Sequence, residues 1–122
     1  MLLDTHVFLW WQADSPRLAV EVEEAIAEAP EVCVSAASAW EAAIKASLGR
    51  LEVPESFGAG VEASGFTELP VTFPHAERVA ELPRHHGDPF DRLLIAQAQL
   101  EGLRIVSHDR RFGLYDVELL PA

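Results

Sequence analysis

The chain has 122 residues, 49% of them hydrophobic, and a formal net charge of −11. Its length and apolar content suit one folded domain and exclude a disordered tail. The charge excludes a general affinity for nucleic acid, because the phosphate backbone is bound by neutralising it with Lys and Arg.

Leu2 to Asp4 reads as a first strand. Its apolar run delivers a carboxylate to the carboxyl edge of a parallel sheet, where open α/β folds build their sites. The opening has no basic stretch and meets Asp4 at once, unlike a signal peptide. Thr5 to Trp11 reads as a short helix, with Val7, Phe8, Trp10 and Trp11 on a wide apolar face. Asp14-Ser15-Pro16 marks a stop and a new start, with Ser15 as N-cap and Pro16 at the first helical position. Leu18, Val22, Ala25 and Ile26 follow at helical spacing, opposite a solvated face of Glu21, Glu23, Glu24 and Glu28. Pro30 closes this helix. Val32-Cys33-Val34 is a second buried strand, in which Cys33, the one cysteine, serves as a small hydrophobe.

A long helix is predicted from Ala39 to Leu48, closed by Gly49. Its core stripe is Trp40, Ile44 and Leu48, and Glu41 and Lys45 lie on an adjacent face. Leu51-Glu52-Val53-Pro54 is a connector, and Glu55 to Ala63 a helix weakened by Gly58 and Gly60. Thr67 to Val71 reads as a shorter strand, which Pro70 pushes to an edge or to its end. Pro74 begins another helix and Pro83 ends it. The loop Arg84-His85-His86-Gly87-Asp88-Pro89 precedes Phe90 to Leu100, a helix apolar nearly all round and therefore buried. Gly102 caps it. Arg104 to Ser107 is a fourth strand with Asp109 just beyond, Arg110 to Tyr115 a short helix or turn, and Val117 to Leu120 a final strand. No stretch approaches the roughly 18 apolar residues of a membrane span, which together with the single cysteine predicts a cytoplasmic protein.

This alternation of strands and helices predicts an α/β fold with a mainly parallel sheet of four to five strands. Four carboxylates then stand at comparable places: Asp4 at the end of strand one, Glu41 in the first turn after strand two, Asp91 in the first turn of the buried helix, and Asp109 past strand four. Each alone has a local explanation, because acids favour helix caps and first turns. Converging together, like charges repel unless a cation joins them, and all-oxygen ligands suit Mg²⁺ or Mn²⁺. Such a loaded cluster would also reverse the local sign of an acidic chain.

The segments Leu2-Leu3-Asp4-Thr5-His6, Ser35 to Glu41, Asp88 to Ala98 and Ile105 to Asp109 resemble, in order, the motifs of the PIN-domain ribonucleases. More narrowly, they resemble the VapC toxins of bacterial and archaeal toxin–antitoxin pairs. Asp88 to Ala98 is the most specific piece, and the resemblance spans essentially the whole chain. It implies a single PIN-like domain over residues 1–122, built as three α/β/α layers, and a metal-dependent endoribonuclease leaving a 5′-phosphate and a 3′-hydroxyl. It implies Asp4, Glu41 and Asp91 as the acidic triad and Asp109 as a fourth acid, all catalytic through Mg²⁺, for which Mn²⁺ can substitute. Asp88 is a rival to Asp91 for the third place. Thr5 and Ser107 match supporting hydroxyl positions.

Lys45 and Arg92, beside two of the acids, are the first candidates for holding substrate phosphate, followed by Arg84, Arg110 and Arg111. A VapB-like antitoxin and a second copy of the chain are the implied partners. Trp10, Trp11 and Phe57 serve either the core or those partners. His85-His86 is read as loop sequence rather than as a transition-metal site. Two rival readings remain. An aspartate-based phosphohydrolase expects a second Asp two residues after Asp4, where His6 stands. A non-catalytic binding module on the same fold would have no use for four acids.

Overall fold

Five very short parallel strands lie side by side in the order β3-β2-β1-β4-β5: β1 (Leu2–Leu3), β2 (Cys33–Ser35), β3 (Thr67–Leu69), β4 (Ile105–Ser107) and β5 (Leu119–Pro121). This computed structural model describes residues 1–51 and 56–122. The first strand is therefore central, with Leu2 opposite Cys33 and Ile105, and Leu3 opposite Val34 and Val106. Strands covered on both faces need apolar side chains throughout, and these six residues are at most 3% exposed.

Alternation along each strand divides the core in two. Leu3, Val34 and Val106 point to one layer, formed by α1 (Thr5–Gln12), α2 (Val20–Glu28) and α4 (Phe57–Ala63), through Val7, Phe8, Val22, Ile26 and Val61. Leu2, Cys33 and Ile105 point to the other, against Leu94, Ile95 and Ala98 of α6 (Pro89–Glu101) and Phe112 and Tyr115 beyond β4. Each fully buried Leu or Ile stabilises the fold by about 1.5–3 kcal/mol. The expected three layers are thus present. α3 (Ala36–Ser47) contacts both α1 and α6, and α5 (Phe73–Arg78) packs on α6. Among the described residues no helix is long and apolar enough to cross a membrane.

Several boundaries differ from expectation. Ser15 caps no helix. Its hydroxyl accepts the Arg17 N–H at 3.2 Å within a turn, and α2 starts only after Ala19. α3 begins at Ala36, three residues early, because Ser35 ends β2 and caps the helix in the same step, accepting the Ala37 N–H at 3.0 Å. Glu41 therefore lies in the second turn rather than the first. The predicted core stripe of α3 is also reversed: Trp40 and Leu48 are 60% and 59% exposed, and Ala37, Ser38, Glu41 and Ala42 are buried. Small side chains form the inner side of this helix, and of the expected stripe Trp40 and Leu48 are left outside and Ile44 is half-buried.

Trp10, Trp11 and Phe57 pack partly buried against the first core cluster. Glu52, Val53, Pro54 and Glu55, parts of the expected connector and helix, lie outside the described residues. The helix described there starts at Phe57, capped by Ser56. β3 is an edge strand and stops before Pro70, as Pro70 requires.

Candidate active site

Asp4 follows β1 and is the N-cap of α1. Its Oδ1 accepts the Val7 N–H at 2.8 Å, a cap worth about 1 kcal/mol. Its Oδ2 accepts from the hydroxyl of Ser107, the last residue of β4. Two adjacent central strands therefore fix one carboxylate between a helix terminus and a buried hydroxyl. The Ser107 Oγ in turn accepts the Asp109 N–H at 3.0 Å, tying the fourth acid to the same strand end.

Glu41 is buried, 6% exposed, and both its oxygens are engaged. The Thr5 hydroxyl donates to Oε1 at 2.7 Å and Lys45 Nζ to Oε2 at 2.7 Å. Lys45 stands four residues on, one helical turn away, which is the spacing that lets the pair meet. Asp109 caps the 3₁₀ turn Arg110–Leu114 and is held by Arg111, whose Nη2 lies 2.6 Å from Oδ2 and whose Nε lies 3.1 Å from Oδ1.

The two acids at the start of α6 have separate tasks. Asp88 is the N-cap, its Oδ1 accepting the N–H groups of Phe90 and Asp91 at 2.9 and 3.0 Å. Asp91, in the first turn, sends Oδ2 toward His86 Nε2 at 3.3 Å. Asp4, Glu41, Asp88, Asp91 and Asp109 all line one cleft of about 180 Å³, together with Thr5, His6, Lys45 and Arg111.

Crowding has a clear electrostatic signature. Burial, then the negative charges of Asp88, Asp4, Glu41 and Asp109, push the Asp91 carboxyl up from its ordinary 3.8 to about 7. Burial also raises Asp4, against the lowering pull of the Ser107 hydrogen bond. Asp109 moves the other way, held low chiefly by its hydrogen bonds from Arg111, and the Arg111 guanidinium is raised by the same contact. His86 is lowered, first by burial and then by the positive charge of Arg111.

The structure thus brings together Asp4, Thr5, Glu41, Lys45, Asp91 and Asp109, with Ser107 directly behind Asp4 and Asp88 alongside Asp91. It does not bring in Arg92. That guanidinium donates to the carbonyls of Pro83, Val79 and Leu82 at 2.8, 3.2 and 3.3 Å and to the Tyr115 hydroxyl at 3.2 Å. Arg92 is absent from the lining because three carbonyls of the preceding turn and the Tyr115 hydroxyl take its donors. Arg111, a later choice from sequence, lines the cleft, whereas Arg84 and Arg110 are not among its lining residues. His86 was missed as a contact of an acid, since a histidine in a polar loop carries no periodic signal. Its place five residues before Asp91 was the one available hint.

The donor chemistry of this cleft fits a hard divalent cation, since its ligating groups are carboxylates and hydroxyls. Among the described residues no three His, Cys, Asp or Glu side chains stand close enough to clasp one ion together. Lys45 and Arg111 occupy part of the negative field instead.

The PIN-domain family model matches residues 1–118. Ribonuclease VapC22 of Mycobacterium tuberculosis (strain ATCC 25618 / H37Rv) is 36% identical over 114 residues, covering 91% of this chain and 88% of that protein. Among solved structures, VapBC2 from Rickettsia felis bound to a promoter DNA fragment superposes with a TM-score of 0.73 at 14% identity, covering 98% of this chain and 96% of its counterpart. A toxin–antitoxin complex from Klebsiella pneumoniae gives 0.67 at 18% identity, covering 98% and 94%. At those identities the structural likeness speaks to the fold.

Proposed function

The chain belongs to the PIN-domain family, and on that premise we propose that it is a divalent-metal-dependent endoribonuclease acting in the cytoplasm as the toxin of a toxin–antitoxin pair. Residues 1–122 form its single nuclease domain. One observation carries the reading: acids from the ends of β1 and β4 and from α3 and α6 converge in one cleft, crowded enough to push the Asp91 carboxyl to about 7. A carboxyl group in that state calls for positive charge.

Asp4, Glu41, Asp91 and Asp109 would hold the ion, which we assign as Mg²⁺ with Mn²⁺ able to substitute. When bound, such an ion supplies an acidified water as nucleophile and neutralises charge at the scissile phosphate. The chain's own part is positioning. Val7 N–H and the Ser107 hydroxyl aim Asp4, and the Thr5 hydroxyl aims Glu41. Asp88 keeps the start of α6 in register, so that Asp91 faces the cleft. Lys45 and Arg111 are the cationic side chains that line it, and with a bound ion taking over their pairing to Glu41 and Asp109 they would be the ones to meet a phosphate. RNA phosphodiesters are the substrate class.

The same reading includes a VapB-like antitoxin and a second copy of the chain as partners. Ala36, Phe57, Val61 and Phe66 line a separate groove of about 480 Å³, which offers apolar surface to an antitoxin segment. Exposed Trp40 on α3 and Leu48 at its C-cap offer another face for a second copy. Purified protein, freed of partner, is incubated with structured RNA in Mg²⁺, in Mn²⁺ and in EDTA. Cleavage is expected with either ion, absent with EDTA and lost in Asp4→Asn. Cleavage that survives EDTA sinks the metal-nuclease reading. Co-expression with the neighbouring reading frame and a pull-down test the antitoxin, and light scattering at micromolar concentration tests the second copy.

A further inference from the structure

His86 lies in a loop, yet its side chain is only 4% exposed. Its ring bridges two groups: Nδ1 stands 2.8 Å from the Tyr115 hydroxyl, and Nε2 stands 3.3 Å from Asp91 Oδ2. Counting hydrogen bonds at Tyr115 decides which nitrogen carries the proton. A hydroxyl has one donor and two acceptor lone pairs. Two N–H groups already aim at this oxygen, the His86 backbone N–H at 3.3 Å and Arg92 Nη1 at 3.2 Å. With both lone pairs engaged, the Tyr115 O–H donates to His86 Nδ1, and Nε2 is left as the N–H that donates to Asp91.

The direction of the chain is fixed from its far end. Arginine has only donors, and Arg92 is anchored on three backbone carbonyls. The phenol is also held in place, because the rings of His85 and His86 stand edge-on to it at 4.9 and 5.4 Å between centroids. The sequence Arg92 to Tyr115 to His86 to Asp91 therefore has one polarity and ends on an acid of the cleft. Asp91 Oδ1 has no protein donor among the described residues, so it remains free for the cleft.

We propose that His86 is a positioning residue: by donating from Nε2 to Asp91 Oδ2 it fixes that carboxylate and leaves Oδ1 for the cation, while Tyr115 sets the tautomer. The role rests on the reading of Asp91 as a ligand. A histidine that merely stapled the loop would affect stability alone. Outer partners that orient ligands contribute about 10–100-fold in metal affinity.

Two measurements test this on the full chain freed of partner. Long-range proton–nitrogen spectra of the unmodified protein are expected to show His86 protonated at Nε2 and bare at Nδ1. A proton on Nδ1 overturns the assignment. Calorimetric titration with Mn²⁺ is expected to give about 10-fold weaker binding in His86→Asn and in Tyr115→Phe, each with a cooperative melt. His86→Gln, whose amide nitrogen can occupy the place of Nε2, is expected to recover most of the affinity. Unchanged Mn²⁺ affinity in folded His86→Asn, alongside loss in Asp91→Asn, overturns the positioning role and leaves the nuclease reading standing. An unmodified chain that takes up no Mn²⁺ removes the nuclease reading, and this role with it.

Discussion

Helix α6 carries a histidine–carboxylate pair at each end, and the two ends differ in the company the acid keeps. At the C-terminal end His75, 2% exposed, accepts the Thr72 N–H at Nδ1 and so donates from Nε2 to Glu101, 2.8 Å away. The Glu101 side chain is 45% exposed, and the pair staples α5 to α6. At the N-terminal end His86 meets Asp91, whose side chain is 17% exposed and which shares its cleft with four other acids. Two pairs of similar chemistry thus serve different ends. A buried histidine on a carboxylate does not by itself mark a functional site; the crowd of like charges around Asp91 is what motivates the role proposed for it.

The largest expected effect falls on the crowded end. Asp4→Asn should lower RNA cleavage by more than the roughly 100-fold that marks the upper range for losing an outer partner of a ligand, with an unchanged circular dichroism spectrum. Parental activity in that variant would break the contrast, leaving a crowd of acids without a use. Next comes the stapled end. His75→Ala strands the Thr72 N–H and opens a cavity, so urea unfolding should show a loss of about 2–4 kcal/mol, while Mn²⁺ affinity stays as it was.

The same acid-to-amide change at both ends sharpens the contrast further. The Asp91 carboxyl titrates near 7 in the folded chain against an ordinary 3.8, so between these values the folded state binds more protons than the unfolded one. Stability contributed by this group therefore falls as pH rises through that window and levels off above it. Asp91→Asn removes the penalty. Without metal at pH 8 it should be more stable than the parent by roughly 2–3 kcal/mol, after discounting for water on its exposed side. That gain should vanish by about pH 4, and paired urea titrations at the two pH values measure it. Glu101→Gln should change stability by less than about 1 kcal/mol, because its acid is half in water.

Much of the cleft was legible in the sequence. Leu2-Leu3, Cys33-Val34 and Ile105-Val106 are short apolar runs that stop at Asp4, Ser35 and Ser107, and that abrupt change to polar residues marks the sheet edge. The cap at Gly102 is an equally local signal, whereas Asp88, a rival ligand by sequence, is the N-cap of α6 in the structure. What could not be read is which neighbour covers a helix. Periodicity on α3 finds an apolar stripe, but Trp40 and Leu48 face outward because the inner side needs small residues and the turn that carries Glu41. Arg92 was misread for a related reason. Its type and its place beside Asp91 suit a phosphate, and only the fold of residues 79–83 shows that carbonyls claim it. His86 and Tyr115 stand 29 residues apart, so their meeting is a property of tertiary structure alone.

The place of β1 in the middle of the sheet has a consequence for the nascent chain. Asp4 leaves the ribosome well before the hydroxyl that holds it, because Ser107 follows 103 positions later. Until β4 has emerged, the central strand lacks a neighbour on one side and the cleft lacks Asp109. Such long-range closure is slow compared with local contacts. A nuclease assembled this way stays silent until β4 has been made, while the messenger and ribosome that make it lie closest at hand.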